Sequence, residues 1–462
     1  MALIGSEANA QRGPGGTSAG LAARIRHWLT DRGDASLAQR VASTAFLIRI
    51  IAAILAFGSQ VLLARWMGGH EFGVFVYVST WVMVIGGIAD LGLASSAQRF
   101  IPQYSEKGEV GLLRGFLFAS RWLGFAIAVT AACTGLALLL AFRNWLDEQT
   151  LIPLAIACII LPVYSLMHVQ DGIARSYNWP NLALMPPFVF RQLIVIGLMG
   201  AAYALDFATD ATAGIIIAAI SIWACAIGQF LVLNRKLAAK VPAGPRRYSI
   251  GHWLVVSLPM FVIDGIYVLL MYVDVLILMQ FRPPEELALY FAAAKTMALV
   301  SFVYFAVSAA SAHRFSAYHQ TGNRAQLTAF MRDAVRWTFW PSLGATLIVL
   351  ACGWPLLRLF GERFVDGYPL MFVLAIGVLA RAAIGPGERF LCMLGEQKSC
   401  ACAALLALAV NLALCFALIP GYGVMGAAIA TSIAFIVESL GIYAIARYRL
   451  GYHLFVLGGR PR

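Results

Sequence analysis

Residues 399–446 read SCACAALLALAVNLALCFALIPGYGVMGAAIATSIAFIVESLGIYAIA. Two apolar runs, 399–419 and 424–446, flank the quartet Pro420-Gly421-Tyr422-Gly423, and Glu438 is the one charged residue in the stretch. A helix crosses the hydrocarbon core of a bilayer with about 20 apolar residues. Each run therefore has the length of one crossing. Pro420 is expected to end the first, and Gly421 and Gly423 to permit a tight turn into the second. The pair reads as a membrane hairpin, with Gly426-Ala427-Ala428 and Ala430 forming a small-residue face for close helix packing.

The same pattern extends towards the N-terminus. Ten more apolar segments qualify: 42–64, 73–95, 117–141, 151–170, 183–204, 212–234, 253–280, 287–310, 333–355 and 367–385. Across all 462 residues, 61% are hydrophobic and 12% charged, with a mean hydropathy of +0.80. A soluble domain carries about 25% charged residues. So apolar a chain cannot hide its surface in a soluble core, whereas lipid can accept it. The expected fold is an all-α polytopic membrane protein of about twelve transmembrane helices.

Charge placement sets the orientation. With the N-terminus in the cytoplasm, 23 of the 34 Lys and Arg residues fall in cytoplasmic segments, 5 in outer segments and 6 within spans. This bias is the positive-inside pattern, and it places both termini in the cytoplasm of a bacterial inner membrane. The net charge of +12 is then a topology signal, and nucleic acid is excluded as a partner. Residues 1–40 carry no signal-peptide core and read as a cytoplasmic arm. The eight cysteines sit in or beside apolar runs and read as small buried hydrophobes; Cys400-x-Cys402 is one residue short of a zinc-type pair and has no second pair.

The longest internal polar stretch, 235–250, is RKLAAKVPAGPRRYSI. It follows the sixth helix and reads as a basic cytoplasmic linker between an N-terminal lobe, 41–234, and a C-terminal lobe, 251–450, with a cytoplasmic tail at 451–462. The halves repeat at an offset of 215 residues. Arg99-Phe100 falls on Arg314-Phe315, Arg121-Trp122 on Arg336-Trp337, and Glu71 on Glu286. Six helices per half give both halves the same orientation. The expected arrangement is two six-helix parallel repeats around a central cavity, moving by alternating access.

Three stretches carry a resemblance to a known family. They are Leu63-Ala64-Arg65-Trp66-Met67-Gly68-Gly69-His70-Glu71-Phe72-Gly73, Asp90-Leu91-Gly92-Leu93 with Gln98-Arg99-Phe100-Ile101, and Gly395-Glu396-Gln397-Lys398 leading to Asn411 and then Leu418 to Thr431. In order and spacing, over about residues 38–450, they resemble the polysaccharide-transporter (O-antigen flippase) family of the multidrug/oligosaccharidyl-lipid/polysaccharide exporter superfamily. The resemblance implies movement of a polyprenyl-pyrophosphate-linked oligosaccharide between leaflets for O-antigen, capsule or exopolysaccharide synthesis. A polysaccharide polymerase and glycosyltransferases would be its neighbours in that process, and membrane lipids its surroundings. The alternatives are a cation-coupled multidrug antiporter or a lipid II flippase of the same superfamily, and a membrane polysaccharide polymerase. A polymerase would need a large outer loop, and the longest here is about ten residues. No GxxxxGK[ST] loop occurs, and no catalytic constellation stands out, so the chain reads as a non-enzyme with no cofactor and no metal.

Charges inside the membrane are costly and therefore informative. Arg49, Arg191 and Lys295 lie deep in spans and are the candidate substrate-path residues. Guanidinium and ammonium groups there suit a pyrophosphate or an acidic sugar. Asp264, Asp274 and Glu438 are the candidate gate or coupling residues, for protons or sodium. Arg49 and Asp264 are related by the 215-residue offset, which suggests a pair that bridges the halves in one state and breaks in the other. Tyr164, Trp81 and Tyr267 are candidate sugar-stacking rings. Arg121, Arg336 and Arg381 sit near inner helix ends and are expected to snorkel to headgroups. Asp90 reads as structural, and Glu71 and Glu286 as carboxylates that complement the dipoles of the helices they begin.

Overall fold

The computed structural model describes residues 34–145, 147–320 and 324–456, and among these no β-strand occurs. The expected arm at 1–40 therefore lies outside the described residues up to Asp34, as does the tail beyond Val456. The elements are α1 (Asp34–Ile88), α2 (Leu93–Glu106), α3 (Val110–Ala141), α4 (Glu148–Ser176), α5 (Pro180–Met185), a π-turn (Pro186–Phe190), α6 (Arg191–Ala204), α7 (Ala211–Lys240), α8 (Ile250–Phe281), α9 (Pro284–Ala298), α10 (Ser301–Gln320), α11 (Arg324–Ala351), α12 (Gly353–Arg358), α13 (Tyr368–Ala383), α14 (Gly387–Met393) and α15 (Gln397–Arg449).

Among the described residues, nine helical runs are long and apolar enough to cross a membrane, or ten when α9 and α10 are taken together across their 43° bend. The protein is a multi-pass membrane protein. Two of the runs have the length of a pair of crossings. Each is broken at one glycine, α1 at Gly68 (φ 80°, ψ 169°) and α15 at Gly423 (φ 56°, ψ −134°), where a side chain would be strained. Pro420 does not end a helix, as the sequence suggested; the reversal falls on Gly423. Beyond it, a Cβ on Gly426 would lie 2.6 Å from the Leu418 carbonyl oxygen, so the two arms of the hairpin touch through backbone there. Ala427, Ala428 and Ala430 are fully buried.

Other expected spans are interrupted. The segment 73–95 breaks after Ile88. Asp90 accepts hydrogen bonds from the Gly92 and Ala94 amides, both at 3.1 Å, and so caps α2. The segment 183–204 contains the π-turn, where Pro186 and Pro187 withhold two amide donors. The segment 287–310 is the bent pair, and 235–250 is helical as far as Lys240. Glu286 lies in the first turn of α9, while Glu71 serves another helix: it accepts from the Ala211 amide at 2.8 Å and caps α7. Cys133, Cys352 and Cys402 are exposed rather than buried.

We call the end of the bundle that carries Gly68 and Gly423 distal, and the end that carries the 241–249 connection proximal. The cores differ between the ends. One hydrophobic core joins both halves, with Phe72 and Val74 alongside Leu287, Ala288 and Tyr290. The two remaining cores are separate. One holds residues of the first half and Trp253; the other holds residues of the second half only, from Phe315 to Val456. Trp253 belongs to the first because the start of α8 docks on α2: its Nε1–H donates to the Tyr104 hydroxyl at 2.9 Å, and the Ser257 hydroxyl donates to Ser96 Oγ at 2.8 Å.

Distal contacts join the halves. The Arg65 guanidinium donates to the Leu359 and Arg358 carbonyls at 2.5 and 3.2 Å. A Cβ on Gly73 would lie 1.9 Å from the Pro284 carbonyl oxygen, so α1 and α9 cross with their backbones in contact.

Candidate functional site

A cavity of about 610 Å³ lies between the halves, lined from α1, α4, α6, α7, α8, α9, α11, α13 and α15 among other elements. Its charged lining residues are Arg191, Lys295, Arg381 and Glu388. Aromatic rings complete the wall, among them Tyr164, Tyr267, Tyr272 and Tyr304. Three cations against one carboxylate give the space a positive balance, and the rings offer flat faces to planar or saccharide groups.

Local structure explains how each cation reaches the cavity. Arg191 begins α6 directly after the π-turn. The extra residue of that turn rotates the helix face, as π-bulges commonly do at functional sites. Gln192 also lines the cavity and is fixed by Ser59, whose hydroxyl donates to Gln192 Oε1 at 3.1 Å. Lys295 stands in the last turn of α9, before the bend. Its ammonium lies 4.9 Å from the Phe291 ring centroid and 6.0 Å from that of Tyr272. Among the described residues, neither Arg191 nor Lys295 forms an ion pair.

Arg381 differs. It does not snorkel to headgroups. Its Nε lies 3.2 Å from Glu438 Oε2, its Nη2 donates to Oε1 at 3.3 Å, and the guanidinium stands 4.6 Å over the Phe435 ring. Glu438, a candidate coupling residue, is thus a buried counter-ion and is absent from the cavity wall. Arg121 does not snorkel either. It donates to the Leu117 carbonyl and, at 2.6 Å, to Asn234 Oδ1. Arg336 forms no ion pair among the described residues.

Asp274, a second coupling candidate, is buried away from the cavity. It accepts from Tyr290, from the Thr431 hydroxyl at 2.9 Å and from the Val275 amide at 2.8 Å. The network joins α8, α9 and α15. Asn411, whose side-chain nitrogen has no hydrogen-bond partner among the described residues, and Cys415 are also buried in α15.

The pair suggested by the repeat is not formed. Asp264 accepts a hydrogen bond from the Ser95 hydroxyl at 2.6 Å. Arg49 makes no ion pair among the described residues and feels the charges of Arg175, Arg389 and Asp171. Neither Arg49 nor Asp264 lines the cavity. Tyr164 and Tyr267 do; Trp81 instead packs edge-on against Tyr77.

The family model described as "Polysaccharide biosynthesis protein" matches residues 39–319, more than half of the chain. The chain belongs to the polysaccharide biosynthesis protein family. No curated protein matches it. Solved structures share its fold. An inward-facing multidrug resistance MATE family transporter of the MOP superfamily has a TM-score of 0.72 at 15% identity, over 86% of this chain and 94% of that one. The lipid II flippase MurJ, in an inward closed conformation, has a TM-score of 0.70 at 18% identity, over 87% of each chain. A MOP superfamily transporter from Pyrococcus furiosus, described as having a binding pocket of reverse polarity, has a TM-score of 0.66 at 15% identity, over 92% and 97%. At these identities the likeness is one of fold.

In this polysaccharide biosynthesis protein, two charged cavity residues escaped the reading of the sequence. Glu388 lies on α14, past the end of an expected span, where only its nearness to Arg381 in space gives it meaning. Arg381 itself carried a signal that was available: its separation from an inner helix end resembles that of a snorkelling residue, but Glu438, the only charge in the last hairpin, needed a buried cation.

Proposed function

We propose that this protein is a flippase for polyprenyl-pyrophosphate-linked oligosaccharide units, working by alternating access between lobes 41–234 and 251–450. Twelve crossings would leave both termini in the cytoplasm of a bacterial inner membrane, with the distal end in the periplasm. The observation that carries the reading is the central cavity with Arg191 and Lys295, neither of which forms an ion pair among the described residues. An anionic headgroup supplies the countercharge that the protein withholds. Pyrophosphate would bind the cations through charge-assisted hydrogen bonds, and sugars would lie against Tyr164 and Tyr267, while the polyprenyl tail stays in lipid. The shared distal core and separate proximal cores suit a state loaded from the proximal side. The buried Asp274 network and the Arg381–Glu438 pair are the groups most suited to couple proton or sodium binding to movement; no cofactor or catalytic step is required.

A deletion strain complemented with wild type, R191A, K295A or the double variant tests this. Loss of surface polysaccharide, with lipid-linked units accumulating at the inner leaflet, supports the flippase. An unchanged polymer and lipid-linked pool in the deletion strain, with no substituting flippase, overturns it and favours a drug or another lipid as substrate. Neutralising Asp264 with transport unchanged would remove it from any gating role.

A further inference from the structure

The corner where α4, α5 and α7 meet at the proximal end is built around two rings and two lysines. Helix α4 ends in a left-handed residue, Asn178 (φ 55°). The Asn178 amide donates to the Arg175 carbonyl and the Trp179 amide to the Ala174 carbonyl, both at 3.0 Å. That reversal is a Schellman motif, and it folds Tyr177 and Trp179 onto one another, with ring centroids 4.9 Å apart and planes 17° from parallel. From α7, Lys236 Nζ lies 5.0 Å from the Trp179 centroid, and Lys240 Nζ lies 5.2 Å from that of Tyr177.

Neither lysine has a carboxylate partner among the described residues. The sequence provides none nearby on this segment: no Asp or Glu occurs between Asp210 and Asp264, while Arg235, Lys236, Lys240, Arg246 and Arg247 do. The Tyr177 hydroxyl is buried without a hydrogen-bond partner among the described residues. Burial pushes it up to about 12, so it stays a neutral donor. The corner therefore holds two ammonium groups without a carboxylate partner and a hydroxyl without an acceptor among the described residues.

Its depth identifies the acceptor. Val232, Lys236 and Lys240 are spaced four residues apart and share one face of α7. Val232 is 42% exposed and its neighbour Leu231 is 53% exposed, as suits side chains in contact with acyl chains. The lysines continue that stripe to the helix end at Lys240, where a crossing helix is expected to reach the lipid phosphates. Aromatic side chains at that level anchor the interface, and clustered basic residues there attract anionic lipid.

We propose that Lys236 and Lys240, on the Tyr177–Trp179 platform, bind the phosphate headgroup of an acidic phospholipid. The site is separate from the central cavity, and the inference does not rest on the flippase reading. Retention of phosphatidylglycerol by the purified full-length protein, followed by native mass spectrometry, tests it, with zwitterionic phosphatidylcholine, which has no net charge, as the comparison. The wild type is expected to retain phosphatidylglycerol in preference to phosphatidylcholine. K236Q/K240Q is expected to weaken that preference by about fivefold or more, on the scale of one basic residue at a membrane surface. R246Q/R247Q, changed on the neighbouring connection, is expected to keep it. Should K236Q/K240Q be too unstable to purify, K236R/K240R, which keeps the charge, is expected to retain the preference, and its loss would count against the site. An unchanged preference in K236Q/K240Q, or an equal loss in R246Q/R247Q, would overturn the proposal by showing that only diffuse positive charge attracts the lipid.

Discussion

His70 and Glu285 stand 215 residues apart, at equivalent positions of the two halves, and their side chains meet: His70 Nδ1 lies 2.8 Å from Glu285 Oε1. The other ring nitrogen lies 3.1 Å from Gln149 Oε1. One member from each half thus closes a contact at the distal end, beside the backbone crossing of Gly73 with Pro284.

The crossing at Gly73 outweighs the polar pair. An exposed ion pair contributes about 0.2–1 kcal/mol, so E285Q is expected to shift the balance between closed and open distal ends by no more than about fivefold. G73V places atoms where the Pro284 carbonyl sits and is expected to force the distal end apart. Gln60 lines the cavity, and labelling of a Q60C reporter there by a membrane-impermeant thiol reagent applied from the distal side measures both. It is expected to rise slightly with E285Q and strongly with G73V.

Removing Arg381 leaves Glu438 buried without its cation. Loss of one member of a buried pair costs about 3–5 kcal/mol, so R381A is expected to lower the unfolding temperature in detergent. R381A/E438Q is expected to recover most of the loss. A double variant no more stable than R381A would show that the pair is not what the single substitution breaks.

Arg191 and Lys295 predict the opposite pattern. Neither forms an ion pair among the described residues, so R191A and K295A are expected to leave expression and unfolding temperature close to wild type while transport falls. R191K is expected to retain part of the activity, since it keeps the charge but loses the planar fork. Parallel loss of stability and transport would contradict this.

At the proximal end, Glu396 accepts from the Ser399 hydroxyl at 2.5 Å and from Arg449 at 2.7 Å. The Ser399 hydrogen bond, then that of Arg449 and its charge, hold the carboxyl below its ordinary value of 4.5. A carboxylate lowered in the folded state contributes stability above its unfolded pKa and loses it as pH falls through the folded value. The wild type is therefore expected to be more stable than E396Q at pH 7, with the difference shrinking below about pH 4.5. Thermal unfolding of both across that range checks the sign.

The crossings were legible because lipid imposes a length and a composition on every segment, as in 399–446. Arg191, Lys295, Tyr164 and Tyr267 were legible as cavity residues for a related reason: polar groups deep in a span need a polar place to be. The 215-residue offset is a feature of the sequence, and it does not say which equivalent residues touch. A two-fold relation brings partners together only near its axis. His70 and Glu285 lie where the halves share a core, whereas Arg49 and Asp264 each face other groups. The helix breaks at Ile88 and Leu299, and the role of Glu388, depend on contacts between distant segments, and local patterns carry no record of those.

The eighth apolar segment is jointed, and its two pieces have different neighbours. Distal to the 43° bend, α9 packs on α1 and α13; proximal to it, α10 packs on α11 and α14. A straight rod would act as a lever, so that shutting one mouth pried the other open. In the proposed flippase a jointed one would transmit little torque, so that each mouth could close on its own schedule. Such a carrier would pass through a moment sealed at both mouths, and cargo would then cross without the membrane leaking its ion gradient.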